Sequence, residues 1–523
     1  MRWPRSPTWS AVAWRTPSIR SLICSCLLVL IVAGCGGSKA SAPPTPTPKH
    51  LPRFDAASCP FTVGKGLNEG TDVRCGYLVV PEDRSKPNGP AIRLAVAVFK
   101  SPDANPAPDP LIFLQGGPGG PIVHDLGTVI NASNNAVLVG KHDLILIDQR
   151  GTGYSRPALD CKEATQLSLK TLKQNLTPDQ QVSLLSGAVR RCRDRLVRAG
   201  INLDAYTTRA DAADIADLRR ALGYRSVDVY GVSYGTWTAL TMMRYFPAGI
   251  RSVVLDSVVP PRGNLIVDPS RTEARLFDLI FRDCAQSSTC RTRYPRLENV
   301  FYSLIDQLNA RPVIVPTIDA VSGKRYQVLI NGFGLSDLLF STPYITSYIP
   351  SIPRMIYDAK NGSYGLISKV YGDVGFNFES FDLGTYLSVA CSDEAPFTNR
   401  QEITAAVQTL PPLLRSYALI SRLGDLHQCG IWHVKGVDPS QKSAVRSAIP
   451  TLVLEGQYDP VTPPQNGRQV ARTLNRSFYF EFPGTGHGAF LANPCPFNMV
   501  HAFLDDPTHK PNASCIATMG PPF

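Results

Sequence analysis

A buried apolar strand that runs directly into a Gly-x-Ser-x-Gly turn constrains the fold of this chain more than any other feature. The segment reads Val-Asp-Val-Tyr-Gly-Val-Ser-Tyr-Gly-Thr-Trp over residues 227–237, and a helical pattern continues to Tyr245. A serine on so sharp a turn needs glycine on both sides, because side chains there would clash with the neighbouring strand and helix. The turn exposes the hydroxyl of Ser233 at the end of the strand. The sequence therefore predicts Ser233 as a nucleophile.

A nucleophilic serine needs a base, and the base needs an acid that orients it. Downstream, an apolar run at Thr451–Leu454 leads into a loop that carries Asp459, and His487 lies on a second, glycine-rich loop. Both residues follow the serine in the chain order Ser, Asp, His that the α/β-hydrolase fold uses. We therefore predict His487 as the general base and Asp459 as its acid. Asp256, which also follows a strand, is the alternative acid.

Further apolar runs indicate a mostly parallel sheet with helices on both sides. The runs are nearly continuous in hydrophobicity, as in strands buried on both faces, and helical stretches such as residues 211–222 lie between several of them. Strand and helix in repeated alternation are typical of a parallel sheet. The predicted strands are Ile92–Phe99, Leu111–Leu114, Leu144–Ile147, Val227–Tyr230, Val253–Leu255 and Thr451–Leu454. We therefore predict the α/β class with an α/β-hydrolase fold.

The alternation of strand and helix stops between Pro260 and Pro450, where helical segments, aromatic residues and turn residues prevail. We interpret this stretch as a largely helical cap inserted into the core. The predicted parts of the chain are a signal peptide (1–35), a Pro-rich tether (36–58), the first part of the core (59–259), the cap (260–445) and the C-terminal part of the core (446–523).

A glycine-rich turn after an earlier strand is the candidate oxyanion hole. Residues 111–120 read Leu-Ile-Phe-Leu-Gln-Gly-Gly-Pro-Gly-Gly, so that backbone N–H groups could face a developing negative charge. Pro118 has no N–H, which leaves Gly117 as the candidate donor. Tyr234, the residue after the nucleophile, should supply the second N–H. The alternatives are a plain tight turn and, more weakly, a phosphate-binding loop, since no Gly-Lys-Ser/Thr follows.

The N-terminus has the pattern of a targeting segment. Arginines precede an apolar run at residues 22–34 that is too short to span a bilayer but suits a signal peptide. The run ends in Val-Ala-Gly-Cys, which resembles the bacterial lipobox, in which the cysteine, here Cys35, carries the lipid. We therefore predict an extracytoplasmic protein that is lipid-anchored or secreted. An ordinary secretory signal with a chance cysteine is the alternative.

Cysteine usage agrees with export. Ten cysteines follow Cys35, an even number that fits complete pairing in an oxidising compartment. Sequence does not determine their connectivity, and the simplest hypothesis pairs them consecutively, as 59–75, 161–192, 284–290, 391–429 and 495–515. The net charge of +11 includes four arginines of the leader, and no Lys/Arg block follows. We therefore expect a scattered basic surface and no nucleic-acid partner.

Taken together, these motifs resemble the proline iminopeptidase and tripeptidyl aminopeptidase family of α/β-hydrolase serine peptidases. The residues that carry the resemblance are 116–120, the Asp-Gln-Arg-Gly-Thr-Gly-Tyr-Ser stretch at 148–155, residues 231–235, and the loops of Asp459 and His487. The 148–155 stretch is the most family-specific, and its expected role is structural. The family often has a histidine before the Gly-Gly-Pro-Gly turn, where this chain has Gln115.

The resemblance also implies a site for the substrate's amino group. Family members that act on a free N-terminus hold its ammonium with acidic cap residues, and Val-Ala-Cys-Ser-Asp-Glu-Ala-Pro at 389–396 is similar to an acidic motif near the end of their cap. Glu394, with Asp393 as the alternate, is therefore the predicted amine anchor. An ordinary solvated loop is the other interpretation.

The expected activity is that of an exported aminopeptidase that releases a residue or a short peptide, of prolyl or tripeptidyl type, from peptide N-termini through an acyl-enzyme on Ser233. No metal or organic cofactor is required by this chemistry. A carboxylic-ester hydrolase with the same triad is the first alternative, and a non-catalytic peptide-binding lipoprotein is the second. Contact with the membrane is expected only through the lipid anchor. The sequence leaves the oligomeric state open.

Overall fold

The computed structural model describes residues 51–376 and 381–523. Within these ranges nine strands form one large sheet and two more form a separate antiparallel pair. The strands are β1 (Arg53–Ala56), β2 (Val73–Pro81), β3 (Ala91–Phe99), β4 (Leu111–Leu114), β5 (Leu144–Ile147), β6 (Val227–Val232), β7 (Ile250–Asp256), β8 (Val313–Ile318), β9 (Arg325–Ile330), β10 (Thr451–Gly456) and β11 (Ser477–Phe482). The predicted signal peptide with its lipidation residue Cys35, and most of the predicted tether, lie outside the described residues.

The strand order of the large sheet is β1-β2-β3-β5-β4-β6-β7-β10-β11. Neighbours are parallel from β5 to β11, whereas β1, β2 and β3 form an antiparallel edge that ends on β5. The six predicted strands correspond to β3 to β7 and β10, so the prediction of a mostly parallel sheet is confirmed. β1 corrects the predicted extent of the tether, because Phe54 pairs with Leu78 and packs against the core.

The order in which the chain adds strands to the sheet reverses between β4 and β6. From β4 the chain first adds β5 on one side and then crosses to add β6 on the other side. In open parallel sheets, ligands bind outside the carboxyl ends of the strands at such a switch point. The glycine-rich turn follows β4 and Ser233 follows β6. The topology therefore brings the two predicted parts of the site to one crevice.

Helices flank the sheet and continue into a long insertion. Those attached to the sheet and its connections are α1 (Ile122–Asp125), α2 (Ala132–Val139), α3 (Lys162–Thr171), α4 (Pro178–Arg198), α5 (Thr208–Ala221), α6 (Tyr234–Tyr245), α16 (Pro464–Ala471) and α17 (Pro494–Asp505). Those between β7 and β10 are α7 (Asp268–Gln286), α8 (Ser288–Arg293), α9 (Leu297–Ala310), α10 (Gly332–Ser341), α11 (Ile352–Lys360), α12 (Gly365–Val374), α13 (Leu383–Val389), α14 (Arg400–Val407) and α15 (Pro412–Trp432).

The central strands are buried on both faces, as their continuous hydrophobicity predicts. Along β4, Ile112 packs in a cluster with apolar residues of α5, α6 and α16, and Phe113 packs on the other face with residues of α1 and α17. Two apolar clusters thus sandwich the sheet. This arrangement holds the carboxyl ends of the strands rigid, and those ends carry the candidate site.

We call residues 257–450, between β7 and β10, the inserted segment. It holds α7 to α15 and the antiparallel pair β8–β9, and it has an apolar cluster of its own. β8 alternates between buried and exposed residues, which is the pattern of a strand with one solvated face. The cluster also includes Tyr458, which lies in the loop after β10. The inserted segment therefore packs directly against a loop that carries a predicted catalytic residue.

Five disulfides join the ten cysteines, and they are the five consecutive pairs that the sequence predicted. The predicted pairing is therefore confirmed. The fold brings the two cysteines of each consecutive pair together. Within the part of the chain that the structure describes, none of the helices is both long enough and apolar enough to cross a bilayer.

Candidate active site

Ser233 occupies a strained turn between β6 and α6. Its backbone has φ 57° and ψ −126°, in the left-handed half of conformational space that residues other than glycine rarely adopt. A side chain at Gly235 would place its Cβ 2.1 Å from the carbonyl oxygen of Leu114, so only glycine fits there. The N–H of Ser233 donates to the carbonyl oxygen of Asp256 at 3.0 Å. The core thus holds the serine in the conformation that Gly-x-Ser-x-Gly predicts.

Asp459 and His487 lie side by side on the loops after β10 and β11. The distance from His487 Nδ1 to Asp459 Oδ2 is 2.8 Å, and the carboxylate is fully buried. Burial acts to raise the pKa of Asp459, but the charge of His487 and hydrogen bonds to the carboxylate outweigh it, so the pKa lies below its usual range. Burial acts to lower the pKa of His487, and Asp459 outweighs it and raises the pKa. Asp459 is therefore charged and able to orient the imidazole.

Thr462 is a further member of this pair that the sequence did not single out. Its N–H donates to Asp459 Oδ1 at 2.7 Å and its hydroxyl to Oδ2 at 2.8 Å. The same hydroxyl lies 3.3 Å from His487 Nδ1. The Asp-x-x-Thr spacing could have indicated it, because a hydroxyl three residues after an aspartate often binds that carboxylate in a turn.

Asp256, the alternative acid, has a different position. Its carboxylate accepts the N–H groups of Ala489 and Phe490, each at 2.8 Å, and the hydroxyl of Tyr230 at 2.7 Å. These bonds fasten the chain just after His487 to the end of β7. The geometry therefore favours Asp459 as the acid, and Asp256 supports the histidine loop.

The serine turn and the histidine loop are joined through residues 256 and 257. The carbonyl oxygen of Asp256 accepts the Ser233 N–H, and the hydroxyl of Ser257 accepts the Gly488 N–H at 2.8 Å. Among the residues that the structure describes, no hydrogen bond links the Ser233 hydroxyl to His487. Such bonds are often long in enzymes without bound substrate. The catalytic roles of Ser233, His487 and Asp459 stay predictions that substitution can test.

The glycine-rich turn after β4 lies against the serine. A Cβ at Gly116 would come within 2.7 Å of the Ser233 Cβ, so the turn needs glycine to approach this closely. Gly117 has φ 118°, and its N–H donates to no group in the described ranges. Tyr234 is the first residue of α6, where a helix N–H has no acceptor within the helix. Both predicted oxyanion donors are thus free to serve, and that role stays a prediction.

The 148–155 stretch has the structural role that was expected. Asp148 accepts the N–H groups of Val123 and Tyr154, each at 2.8 Å, and so ties the loop after β5 to α1. Arg150 is almost fully buried and pairs with Asp214 of α5 at 2.7 Å. These contacts hold the loop after β5 in place below the oxyanion turn.

Glu394 and Asp393 are buried and already have partners. Glu394 is fully buried, and its Oε2 lies 2.9 Å from the ammonium of Lys442, which also lies over the ring of Trp237. Its Oε1 has no hydrogen-bond partner among the described residues. Burial, partly offset by Lys442, raises the pKa of Glu394 to about 8. Asp393 accepts the N–H of Thr208 at 3.2 Å. The role of Glu394 and Asp393 as amine anchors stays a prediction, and in this conformation a lysine of the chain occupies the carboxylate of Glu394.

Beside His487 lies a tyrosine of the inserted segment. The ring of Tyr344 lies 4.7 Å from the ring of His487. Tyr344 is 43% exposed, and desolvation raises the pKa of its hydroxyl. Tyr386 lies nearby, and the charge of Asp425 contributes with burial to raise its pKa.

Three carboxyl groups of the inserted segment, Glu273, Asp337 and Asp425, all act to raise the pKa of Arg422. We call these carboxyl groups, with Tyr344, Tyr386 and Tyr417, the acidic recess. Asp337 is exposed, but desolvation raises its pKa, and it accepts the hydroxyl of Tyr417 at 2.7 Å. Burial and the charge of Asp337 raise the pKa of Glu273 to about 7. Asp425 pairs with Arg422 at 3.0 Å. Sequence reasoning missed these residues because they come from α7, α10 and α15, and no local motif unites them.

Comparisons with known proteins agree with this geometry. Residues 109–320, which include Ser233, match the model described as "alpha/beta hydrolase fold", and residues 419–515, which include Asp459 and His487, match the model described as "TAP-like protein".

Relatives of similar length include enzymes with both peptidase and esterase names. Serine protease Hip1 of Mycobacterium tuberculosis is 25% identical over 469 residues, which cover 84% of this chain and 86% of the relative. Carboxylesterase B of the same species is 27% identical and covers 95% and 98%. Tripeptidyl aminopeptidase of Streptomyces lividans is 24% identical and covers 83% and 81%. The chain is therefore a serine hydrolase with the α/β-hydrolase fold.

Proposed function

We propose that this serine hydrolase is an exported aminopeptidase that releases a residue or a short peptide from the free N-terminus of peptide substrates. The observation that carries the proposal is the group of carboxylates in the acidic recess, whose Tyr344 ring lies 4.7 Å from the ring of His487. An N-terminal ammonium is the group that these carboxylates would hold. Two of the relatives are named as a serine protease and a tripeptidyl aminopeptidase, which supports the same class.

In the proposed mechanism Ser233 attacks the carbonyl carbon of the scissile amide and transfers its proton to His487. Asp459 keeps the imidazole in the correct tautomer and stabilises its charged form. The N–H groups of Gly117 and Tyr234 stabilise the oxyanion of the tetrahedral intermediate. His487 then gives its proton to the leaving amine. In the second half of the reaction, water takes the place of Ser233 as the nucleophile, and Ser233 leaves as the acyl-enzyme is hydrolysed. The released product carries the substrate's original N-terminus.

The charge balance of the acidic recess supports recognition of an ammonium group. The charge of Arg422 acts on all three carboxyl groups, Glu273, Asp337 and Asp425. When all three acids are ionised, the group carries a net negative charge in a desolvated place, where opposite charges attract strongly. A peptide whose N-terminus is acetylated brings no charge to balance these carboxylates. The proposal therefore predicts a strong preference for a free N-terminus.

Glu394 stays a second candidate for the amine anchor. An incoming ammonium would have to replace Lys442, whose ammonium lies 2.9 Å from the Glu394 carboxylate. Among the described residues, Glu273 and Asp337 of the acidic recess form no ion pair, and Tyr344 of the same recess lies beside His487. We therefore favour Glu273 and Asp337 over Glu394 and Asp393 as the groups that bind the substrate amine.

Export and lipid anchoring complete the proposal. The disulfides are typical of proteins that fold in an oxidising compartment. Together with the signal-peptide pattern and Cys35, they support an extracytoplasmic protein held at the membrane by a lipid. We further propose that residues 260–445 act as the cap, since this stretch contributes every residue of the acidic recess.

The test compares matched substrates on purified protein that lacks residues 1–35. Free and N-acetylated forms of alanyl, prolyl and tripeptidyl amides are assayed beside short-chain esters, with Ser233→Ala as the inactive control. We expect turnover of the free peptides and little turnover of the acetylated forms. The variants Asp337→Asn and Glu273→Gln should raise KM for free peptides at least tenfold, and Glu394→Gln serves as the matched comparison.

Other outcomes would change the assignment. If Glu394→Gln alone raises KM, the amine anchor is Glu394 and the preference for the acidic recess is wrong. Turnover of esters alone would favour a carboxylic-ester hydrolase, a function that the likeness to carboxylesterase B supports. Absence of any Ser233-dependent turnover would favour a peptide-binding protein.

A further inference from the structure

We infer that the inserted segment is part of the catalytic centre, and that Arg275 and Thr346 are positioning residues that hold the loops of Asp459 and His487. The inference rests on the proposed roles of Ser233, His487 and Asp459. It does not depend on whether the substrate is a peptide or an ester. Three separate contacts support it.

The first contact holds the loop of the acid. Arg275, on α7 of the inserted segment, donates from Nη2 to the carbonyl oxygen of Gln457 at 2.5 Å and from Nη1 to that of Asp459 at 3.3 Å. Between these two residues, the hydroxyl of Tyr458 donates to Asp283 at the other end of α7. One helix thus holds three successive residues of the loop. The guanidinium is well placed for this task, because its planar fork donates to two acceptors at once.

The second contact holds the loop of the base. The N–H of His487 donates to the carbonyl oxygen of Pro343 at 3.0 Å, and the N–H of Gly486 donates to the Thr346 hydroxyl at 3.1 Å. The approach is close: a Cβ at Gly486 would lie 1.9 Å from the Pro343 oxygen. The backbone just before the imidazole is therefore fixed by the inserted segment, not by the sheet.

The third contact reaches the oxyanion turn. The N–H of Asp382 donates to the carbonyl oxygen of Gly119 at 3.0 Å. The ring of Phe381 lies over the same turn, 3.2 Å from the position that a Cβ on Gly117 would take. The side chain of Asp382 also accepts the N–H of Gly153 at 2.7 Å. The inserted segment thus also holds the turn that would supply one oxyanion donor.

Ser233 is held differently from these three loops. Its backbone bonds are to Asp256 at the end of β7 and to Thr236 within its own helix. The sheet therefore holds the nucleophile, and the inserted segment adds contacts to the loops that must be aligned with it. Because a misplacement of about 1 Å can cost on the order of a hundredfold in rate, loss of one contact should lower kcat and leave substrate binding nearly unchanged.

The experiment measures Arg275→Met and Thr346→Val in the purified enzyme. Two readouts are used: kcat and KM on the preferred substrate of the wild type, and the rate at which a small fluorophosphonate labels Ser233. Labelling needs the catalytic groups but no particular substrate. We expect both variants to lose about tenfold to a hundredfold in kcat and in labelling rate, with KM within about twofold of the wild type.

Conservative and control variants separate positioning from folding. Thr346→Ser keeps the hydroxyl that accepts the Gly486 N–H and should restore most of the activity lost in Thr346→Val. Arg271→Met removes an exposed arginine from the same helix and should leave both readouts unchanged. One-dimensional proton NMR adds a direct signature, since the low-field proton between His487 and Asp459 should shift or vanish in Arg275→Met.

The inference is overturned if Arg275→Met and Thr346→Val fold normally and label at the wild-type rate. It is also overturned if only KM changes, because the two residues would then contact substrate and not position the triad. Failure of Ser233→Ala to abolish labelling would refute the proposed nucleophile itself, which is a different result. If one variant does not fold, the other still decides, since they act on different loops.

Discussion

At the scale of single residues, the sequence could predict the roles of Ser233, Asp459 and His487 because the residues around each of them indicate its role. Glycines flank the serine and the histidine, and the acid follows a buried strand. Which carboxylate acts as the acid could not be settled in this way, since Asp256 also follows a strand. The choice depends on side-chain direction, which in the structure turns Asp256 towards the N–H groups of residues 489 and 490.

The two aspartates give a sharp prediction. Asp459→Asn should reduce kcat by about 10⁴-fold, because the amide holds the imidazole in the wrong tautomer. Asp256→Asn should lose part of its three hydrogen bonds and lower the free energy of unfolding by about 1–3 kcal/mol, with a smaller effect on kcat. Steady-state kinetics and urea unfolding check both. The reverse pattern would make Asp256 the acid.

A second prediction at this scale concerns pH. Because the pKa of Glu273 is raised to about 7, its carboxylate is charged above that pH and becomes protonated below it. We therefore expect KM for a free peptide amide to rise as the pH falls from 8 to 6. In Asp337→Asn the like charge that raises this pKa is gone, so the rise in KM should move to lower pH. An unchanged profile in that variant would argue against an interaction between the two acids.

At the scale of helices and strands, the sequence predicts six central strands of the large sheet and misses β1, β2 and β11 towards its edges and the separate pair β8–β9. β3 to β7 and β10 have apolar residues on both faces and were all predicted. β1, β8 and β9 are short or half-exposed, and Arg53 and Asp55 make β1 resemble a loop. The sequence could not predict the acidic recess for another reason, since the recess assembles only when α7, α10 and α15 pack together.

The disulfide Cys391–Cys429 offers a prediction about one such element. It fastens α15, which carries Asp425, to the turn after α13, and its cysteines are 38 residues apart. Replacing both by alanine should lower the free energy of unfolding by about 3–4 kcal/mol and should raise KM for free peptides. Replacing Cys495 and Cys515 should cost stability but leave KM unchanged, because that pair lies in the C-terminal part of the core. Thermal unfolding and kinetics on both double variants make the comparison.

At the scale of the whole molecule, we propose that the sheet provides the nucleophile and that the inserted segment aligns the other catalytic groups and selects the substrate. The sequence predicts this division at the point where the alternation of strand and helix stops. It could not predict the contacts across the boundary, since Arg275 and Thr346 bind backbone groups far away in the chain. Backbone N–H and carbonyl groups are common to all residues, so such contacts leave no mark on the sequence.

The placement of the molecule in the cell gives a final prediction. Cys35→Ala should move the protein from the membrane fraction to the medium or periplasm, because the residue predicted to receive a lipid is lost. Partition into detergent on phase separation, followed by immunoblotting, measures this directly. If the variant partitions like the wild type, the cysteine is not the anchor and the leader is an ordinary secretory signal.

The consecutive pairing of the cysteines also bears on how such a chain matures. Each bridge closes between neighbouring cysteines, 6 to 38 residues apart, and no bridge encloses or crosses another. A chain that emerges from a translocation channel N-terminus first presents each cysteine and then, before any other, its correct partner. Order of emergence alone therefore yields the right set of bridges. Such a protein can be oxidised during translocation without a later enzyme to shuffle mispaired cysteines.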